Sequence, residues 1–202
     1  VLRIPYLPAL AASMLVMFAA GICIERVVFR PLRRAPQMNV MIGTLGLSIF
    51  LLNTAVLVWG PNPLRFPSVY TEKYVTVGGL SITWQRLMVV LFAVFLIASL
   101  SLLIRKTRLG KAMRACSQNA QAASLMGIDI DRIGMVTTAI GCMLAAAAGC
   151  LIGPIFLVYP AMSILAVSKA FAVVVLGGLG NVEGAIVSGF LLGVTEAMTG
   201  GF

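Results

Sequence analysis

The chain contains no histidine, and only six of its 202 residues are acidic. Without histidine the commonest general base and metal ligand is missing, and no paired-acid motif replaces it. Four cysteines occur, Cys23, Cys116, Cys142 and Cys150, with no C-x-x-C among them. Cys23, Cys142 and Cys150 lie in apolar runs, where cysteine acts as a small hydrophobe. Neither a metal site nor a disulfide framework is indicated. No G-x-x-x-x-G-K-[ST] phosphate loop is present, so the chain has no such means of hydrolysing ATP. Charged residues make up only 10% of the chain. These absences argue against a membrane-embedded enzyme.

Apolar residues fill the space. The sequence is 60% hydrophobic, with a mean hydropathy of +1.05. A soluble domain of this length cannot hide so much apolar surface. Several runs approach the roughly 20 apolar residues that one membrane crossing needs. Period-two alternation over ~10-residue segments, the mark of a membrane β-barrel, is absent. The expected fold is an all-α, polytopic transmembrane helical bundle forming a single domain over residues 1–202. Starting at Val1 without Met and stopping at Phe202 just past an apolar helix, the chain reads as a fragment of a longer protein.

The net charge of +9 could suggest nucleic acid. However, nine of the fifteen basic residues fall in two clusters, Arg26, Arg30, Arg33, Arg34 and Arg105, Lys106, Arg108, Lys111, Arg114. Both clusters sit at the ends of apolar runs, the pattern of cytoplasmic loops, so no nucleic-acid partner is expected. They orient the spans. Leu7–Val28 runs inward, Gln37–Trp59 outward, Trp84–Ile104 inward and Ile133–Gly153 outward. Glu25, at the end of the first span, reads as a boundary charge. Trp59 and Trp84 bracket an outer loop, as indoles at a membrane surface do. Within that loop, Tyr74–Val77 and Leu80–Thr83 around Gly78-Gly79 read as a small hairpin.

In the second span, Thr44, Ser48 and Asn53 place polar groups on a membrane helix. They serve either helix packing or the lining of a pathway. Gly141, Ala145, Gly149 and Gly153 form a small-residue stripe, repeated by Ala185, Gly189, Gly193 and Ala197. Both stripes read as close-packing seams of a bundle core, with the two helices plausible partners for each other. Ala166–Met198 as one straight helix is ~50 Å long, too much for one crossing. The chain is therefore expected to break at Gly177, Gly178, Gly180 and Asn181, giving a re-entrant half-helix or two spans with a tight turn. Broken helices of this kind often border transport sites.

Residues 105–132 are the long polar passage between apolar runs, and form the expected cytoplasmic coupling segment. Residues 107–126 read as a helix or helix pair along the membrane face. Arg105, Arg108, Lys111 and Arg114 recur every three residues as a basic strip suited to anionic headgroups. Gln121-Ala122-Ala123-Ser124-Leu125-Met126-Gly127 then forms a compact knob with a sharp exit at Gly127. Such a knob can enter a groove on a partner outside the bilayer. Asp129 and Asp131 serve as caps of the next span.

Several blocks together carry a resemblance: ERVVFRPLRRAP, TLGLSIFLLN, RLGKAMRACSQN, AASLMGIDIDR and KAFAVVVLGGLGNVEGAIVSGFLLGVTEAM. QAASLMG is similar to the EAAxxxG signature on the coupling loop of ABC-transporter permeases, with Gln121 where glutamate is usual. From about Glu25 to Met198 the chain resembles permease subunits of branched-chain amino acid importers, and closely similar blocks occur in urea and short-chain amide permeases. The resemblance implies a pathway subunit, not an enzyme, in a bacterial inner membrane. It implies three kinds of partner besides the lipid bilayer: ATP-binding cassette subunits that hold ATP-Mg, a second permease, and an external solute-binding protein. It also places Gln121, Ala122, Ala123 and Gly127, with Arg114 nearby, at the contact with the ATPase. The change to Gln121 keeps size but removes one possible charge–arginine contact. The competing reading is an ion-coupled transporter using Glu183, Glu196 and Lys169; a purely structural subunit is a further one.

Overall fold

The computed structural model describes residues 6–32, 36–63, 74–77, 80–154, 157–178 and 180–199. Helix α1 (Tyr6–Ile24) continues without a break through one π-helical turn, Glu25–Phe29, into a last short turn, α2 (Arg30–Leu32). The apolar span thus covers Pro8–Leu32, beyond the expected end at Val28. Pro36 then resets the chain to an extended conformation before α3 (Gln37–Trp59), which stops at Gly60 with φ +83°. In the outer loop, β1 (Tyr74–Val77) and β2 (Leu80–Thr83) pair antiparallel, with Tyr74 opposite Thr83 and Val77 opposite Leu80. The expected hairpin is therefore present, while its turn residues Gly78 and Gly79 lie outside the described residues.

Helix α4 (Trp84–Lys106) follows and leads into two short helices, α5 (Arg108–Gln118) and α6 (Ala120–Leu125). Helix α7 (Ile130–Ile152) comes next, followed by α8 (Met162–Gly177) and α9 (Val182–Thr199). Among the described residues five helices are long and apolar enough to cross a membrane. Helix α8, with 16 residues, is shorter at ~24 Å. The protein is an all-α, multi-pass membrane protein apart from the outer hairpin.

Two antiparallel helix pairs organise the bundle. In the first, α1 lies against α7, with Ala139 and Ala147 fully buried between them. The approach is closest at Gly21, where a Cβ would stand 2.8 Å from the Cα of Ala139. Ser13 and Cys150 meet across the same seam at 3.1 Å. In the second pair, α8 and α9 touch backbone to backbone: a Cβ on Gly177 would lie 2.6 Å from the amide nitrogen of Ala185. The Ser188 hydroxyl, buried between these helices, donates to the Val173 carbonyl at 2.8 Å.

The seam on α7 is not the expected one. Gly141 and Gly149 have nothing within 4 Å of a built Cβ, whereas Ala139 and Ala147, two residues away, are packed. A 3.6-residue helix turns two positions by about 200°, so the small-residue stripe faces away from α1. Nor do α7 and α9 choose each other as main partners. On α9 the expectation fares better, since Ala185 and Gly189 lie near α8.

Elsewhere the helices present apolar side chains outward. Met38, Ile42, Leu45, Ile49, Phe50 and Leu57 on α3 are each more than 60% exposed. Lipid tails are as apolar as leucine, so this surface is stable in hydrocarbon.

Candidate functional site

The polar segment between α4 and α7 is shaped by side chains bonding their own backbone. Thr107 leaves the helical conformation, and its Oγ1 donates to the Leu103 carbonyl and accepts from the Gly110 amide, at 2.6 Å and 3.0 Å. This turns α5 back onto the end of α4. Gly110 is required there, because a Cβ would sit 2.2 Å from the Ile104 carbonyl oxygen. The basic strip is consequently divided. Arg105 belongs to α4 and pairs with Glu183 at the start of α9, while Arg108, Lys111 and Arg114 lie on α5.

Asn119 separates α5 from α6. It is extended (φ −154°, ψ 101°), closes α5, and caps α6 by accepting from the Ala122 amide at 3.0 Å. Helix α6 then ends in a Schellman arrangement. Gly127, at φ +79°, donates to the Ser124 carbonyl, and Ile128 donates to that of Ala123. Ala123 is buried, whereas Gln121 and Ala122 are exposed. At the tip, Leu125 and Met126 are 89% and 83% exposed. The two side chains form an apolar tip on a segment otherwise rich in polar residues. The helix pair expected over residues 107–126 is present, and Asp129 caps α7 through the Arg132 amide at 3.1 Å.

Behind this segment lies a cavity of about 750 Å³, at the end of the bundle that carries α5. Its walls come from the π-turn, α5, α7 and the α8–α9 turn, with Val40 from α3. Gly178, Gly180 and Asn181 line it, as does Arg114. Two of these glycines have positive φ, +84° at Gly178 and +83° at Gly180. The Asn181 side chain accepts from the amides of Glu183 and Gly184 at 3.1 Å and 3.2 Å, starting α9. The broken segment is thus a helical hairpin with a tight turn, and the turn borders the cavity.

Gly177 is not a lining residue; it serves the contact between α8 and α9. Thr44, Ser48 and Asn53 do not line this cavity either. Thr44 bonds the Met41 carbonyl and Asn53 the Ile49 carbonyl, both at 2.8 Å.

Glu25 was expected at a wet boundary. Instead it is only 4% exposed, lines the cavity, and accepts a hydrogen bond from the Thr138 hydroxyl at 2.7 Å. The sequence signal was available: an acid and the Thr137-Thr138 pair both interrupt otherwise apolar helices. What could not be read was the π-turn, which rotates Glu25 relative to a regular helix. The other acids near the last helices are also engaged, Glu183 with Arg105 and Glu196 with Lys169.

The family model described as branched-chain amino acid transport system / permease component matches residues 2–202. The chain is 34% identical over 195 residues to the high-affinity branched-chain amino acid transport system permease protein LivH of Salmonella typhimurium. It is 35% identical over 196 residues to LivH of Escherichia coli, and 36% identical over 196 residues to BraD of Pseudomonas aeruginosa. These matches cover 94%, 94% and 95% of the chain, but 63%, 63% and 64% of the relatives. The chain therefore spans a little under two thirds of the length of these relatives. No solved structure matches it.

Proposed function

The chain belongs to the family of branched-chain amino acid transport permease components, and from that premise we propose that it forms one half of the membrane pathway of an ATP-driven importer of branched-chain amino acids. The relatives are named as transport permeases rather than enzymes. In this reading ATP and magnesium are held by separate ATP-binding cassette subunits. A second permease completes the pathway, an external solute-binding protein delivers the amino acid, and the membrane is the bacterial inner membrane.

The observation that carries the reading is the α5–α6 pair, with the exposed Leu125 and Met126 held out by Gly127. An apolar tip of this size in water is costly unless a partner groove receives it. Seated in an ATPase groove, α6 transmits closure of the ATPase pair through Asn119 and α5. From there motion reaches α4 through Gly110, and the α8–α9 hairpin through Arg105 and Glu183. Rocking of these helices changes access to the cavity. Gln121, Ala122 and Arg114 lie along that contact; Ala123 holds α6 against its own exit. Thr44, Ser48 and Asn53 are assigned to the stretch of the pathway that runs along α3.

The ion-coupled alternative finds less support, because Glu183 and Glu196 each sit in an ion pair with a cation on another helix. Affinity purification of the full-length protein in mild detergent, with mass spectrometry of its companions, tests the importer reading. Two Walker-containing ATPases and a second permease are expected. Recovery of a lone protein without any ATPase overturns it. Uptake by the reconstituted complex, compared for leucine, isoleucine, valine and urea, then separates an amino acid importer from an amide importer.

A further inference from the structure

We propose that α8 and α9 enclose a water-filled crevice within the membrane, bridged by the Lys169–Glu196 ion pair, and that this crevice forms a wall of the solute pathway. The proposal rests on the importer reading and deepens it by naming the side of the hairpin that meets water. The outer sides of the same two helices meet lipid.

The helices diverge from their turn. A Cβ on Gly177 would lie 2.6 Å from the amide nitrogen of Ala185, and one on Gly189 would find the Val173 side chain at 3.8 Å. A Cβ on Gly193 would find nothing within 4 Å. Ala185, Gly189 and Gly193 recur at four-residue spacing, so the widening is read along one side of α9. Towards the open end Lys169 of α8 pairs with Glu196 of α9, and their side chains are 51% and 56% exposed.

This pair lies deep. At ~1.5 Å per residue, Lys169 stands ~12 Å from the end of α8 at Gly177, and Glu196 ~21 Å from the start of α9 at Val182. The turn itself lies at the end of the bundle that carries α5, where Glu183 pairs with Arg105. Measured from there, both charges fall inside a hydrocarbon core ~30 Å thick. Pairing cancels their net charge, but an ammonium carries three donors and a carboxylate several acceptor sites. One contact between two half-open side chains leaves most of those positions to the surroundings. Hydrocarbon cannot fill them and water can, which is why ionisable groups inside membranes border cavities and pathways.

The rest of the surface is divided accordingly. Gly193, Glu196 and Thr199 recur at three-residue spacing and share one side of α9, all exposed. Val187, Phe190, Leu191, Val194 and Met198 are also exposed, and fall on the half of α9 away from Glu196. On α8, Phe171 is 70% exposed and sits two positions from Lys169, a rotation of ~200°. The hairpin is thus polar within its opening and apolar outside.

The test is cysteine accessibility in the full-length permease–ATPase complex, reconstituted in proteoliposomes with its native cysteines replaced by alanine. Gly193→Cys places a thiol ~16 Å along α9, near the middle of the core. Phe171→Cys and Phe190→Cys place thiols on the outer sides. A charged, membrane-impermeant methanethiosulfonate is supplied to both faces of the membrane, with and without ATP-Mg. It reacts with the thiolate, which apolar surroundings suppress. Gly193→Cys is expected to react at least about tenfold faster than either control in one nucleotide state or both. Equal rates at the three positions overturn the proposal. So does no reaction at Gly193→Cys in either state, which would place lipid or a partner helix in the opening. Uptake of branched-chain amino acids by the cysteine-free parent complex, with the external protein added, is measured alongside. Uptake without reaction at Gly193→Cys overturns the crevice and leaves the importer reading intact. Absence of any such uptake overturns the importer reading itself, and with it the assignment of the crevice to a solute pathway.

Discussion

The hydroxyl of Thr138 donates to the carboxylate of Glu25 at 2.7 Å, joining two helices whose partners lie 113 residues apart in the sequence. The bond sits where the α1–α7 seam opens into the cavity, so one contact serves both packing and site geometry. Replacing Thr138 with valine keeps the shape and removes the donor. About 1–3 kcal/mol of stability is expected to be lost, since a buried carboxylate then has one donor fewer. Thermal unfolding in detergent reads this, and a midpoint equal to that of the parent protein would count against a structural role for the bond.

Helix α6 makes a second prediction, because its tip and its exit are separable. Leu125→Ser and Met126→Ser alter side chains that are 89% and 83% exposed, so the fold of the chain is expected to be unchanged. Recovery of ATPase subunits in pull-downs is expected to fall. Normal recovery with both changes present would place the ATPase contact elsewhere.

Gly127→Leu attacks the exit instead. At φ +79° a side chain costs about 1–2 kcal/mol, enough to unwind the short α6. Membrane insertion is expected to continue while solute-stimulated ATPase activity and assembly fall. Solute-stimulated ATPase activity at the parental level is the outcome that sinks the coupling role of this turn.

The α8–α9 hairpin depends on two glycines facing each other, Gly177 and Gly184. A Cβ on Gly177 meets the backbone of Ala185 at 2.6 Å, while one on Gly193 meets nothing within 4 Å. Gly177→Ala is therefore expected to cost about 1–3 kcal/mol by overpacking. Gly193→Ala is expected to be neutral or slightly stabilising, as alanine favours helix. Thermal unfolding of the two variants side by side gives the comparison, and equal midpoints would contradict the backbone contact.

The seam between α1 and α7 yields a matching pair. Gly21→Val places atoms where Ala139 and Cys142 already stand, and should separate the helices. Gly141→Val, on the stripe singled out by its spacing, should leave this pair intact. Cysteines introduced at Ser13 beside the native Cys150 report the distance: the cross-link should form in the second variant and fail in the first.

Much of the architecture follows from local rules. Apolar runs of about 20 residues set the position of most spans before any contact is considered, and basic clusters and indoles at their ends set the expected direction. Turn chemistry was equally legible. Gly127 takes the left-handed conformation expected of it, Asp129 caps α7, and the strands 74–77 and 80–83 pair around the Gly-Gly dipeptide. The break after Gly177 was also visible, since the helix through it is too long for one crossing.

Packing partners were not legible, for a physical reason. In a membrane helix every face is apolar, so hydrophobic periodicity, which tells inside from outside in water, carries little signal. The spacing of Gly141, Ala145 and Gly149 is real, yet the seam formed on Ala139 and Ala147, about 200° around the helix in its choice of face. Likewise a single π-turn moved Glu25 from a presumed boundary into a cavity, and nothing in its neighbours' identities announces that turn.

By itself, then, the sequence determined the membrane class, the position of most spans, the polar helical passage between α4 and α7 and the places where the chain turns. These are properties of local composition and backbone conformation. Only tertiary structure decided that α1 pairs with α7 and α8 with α9, and that Glu25, Arg114 and Asn181 share one cavity. Those choices depend on side chains far apart in sequence meeting with compatible shape and charge, which no local window contains.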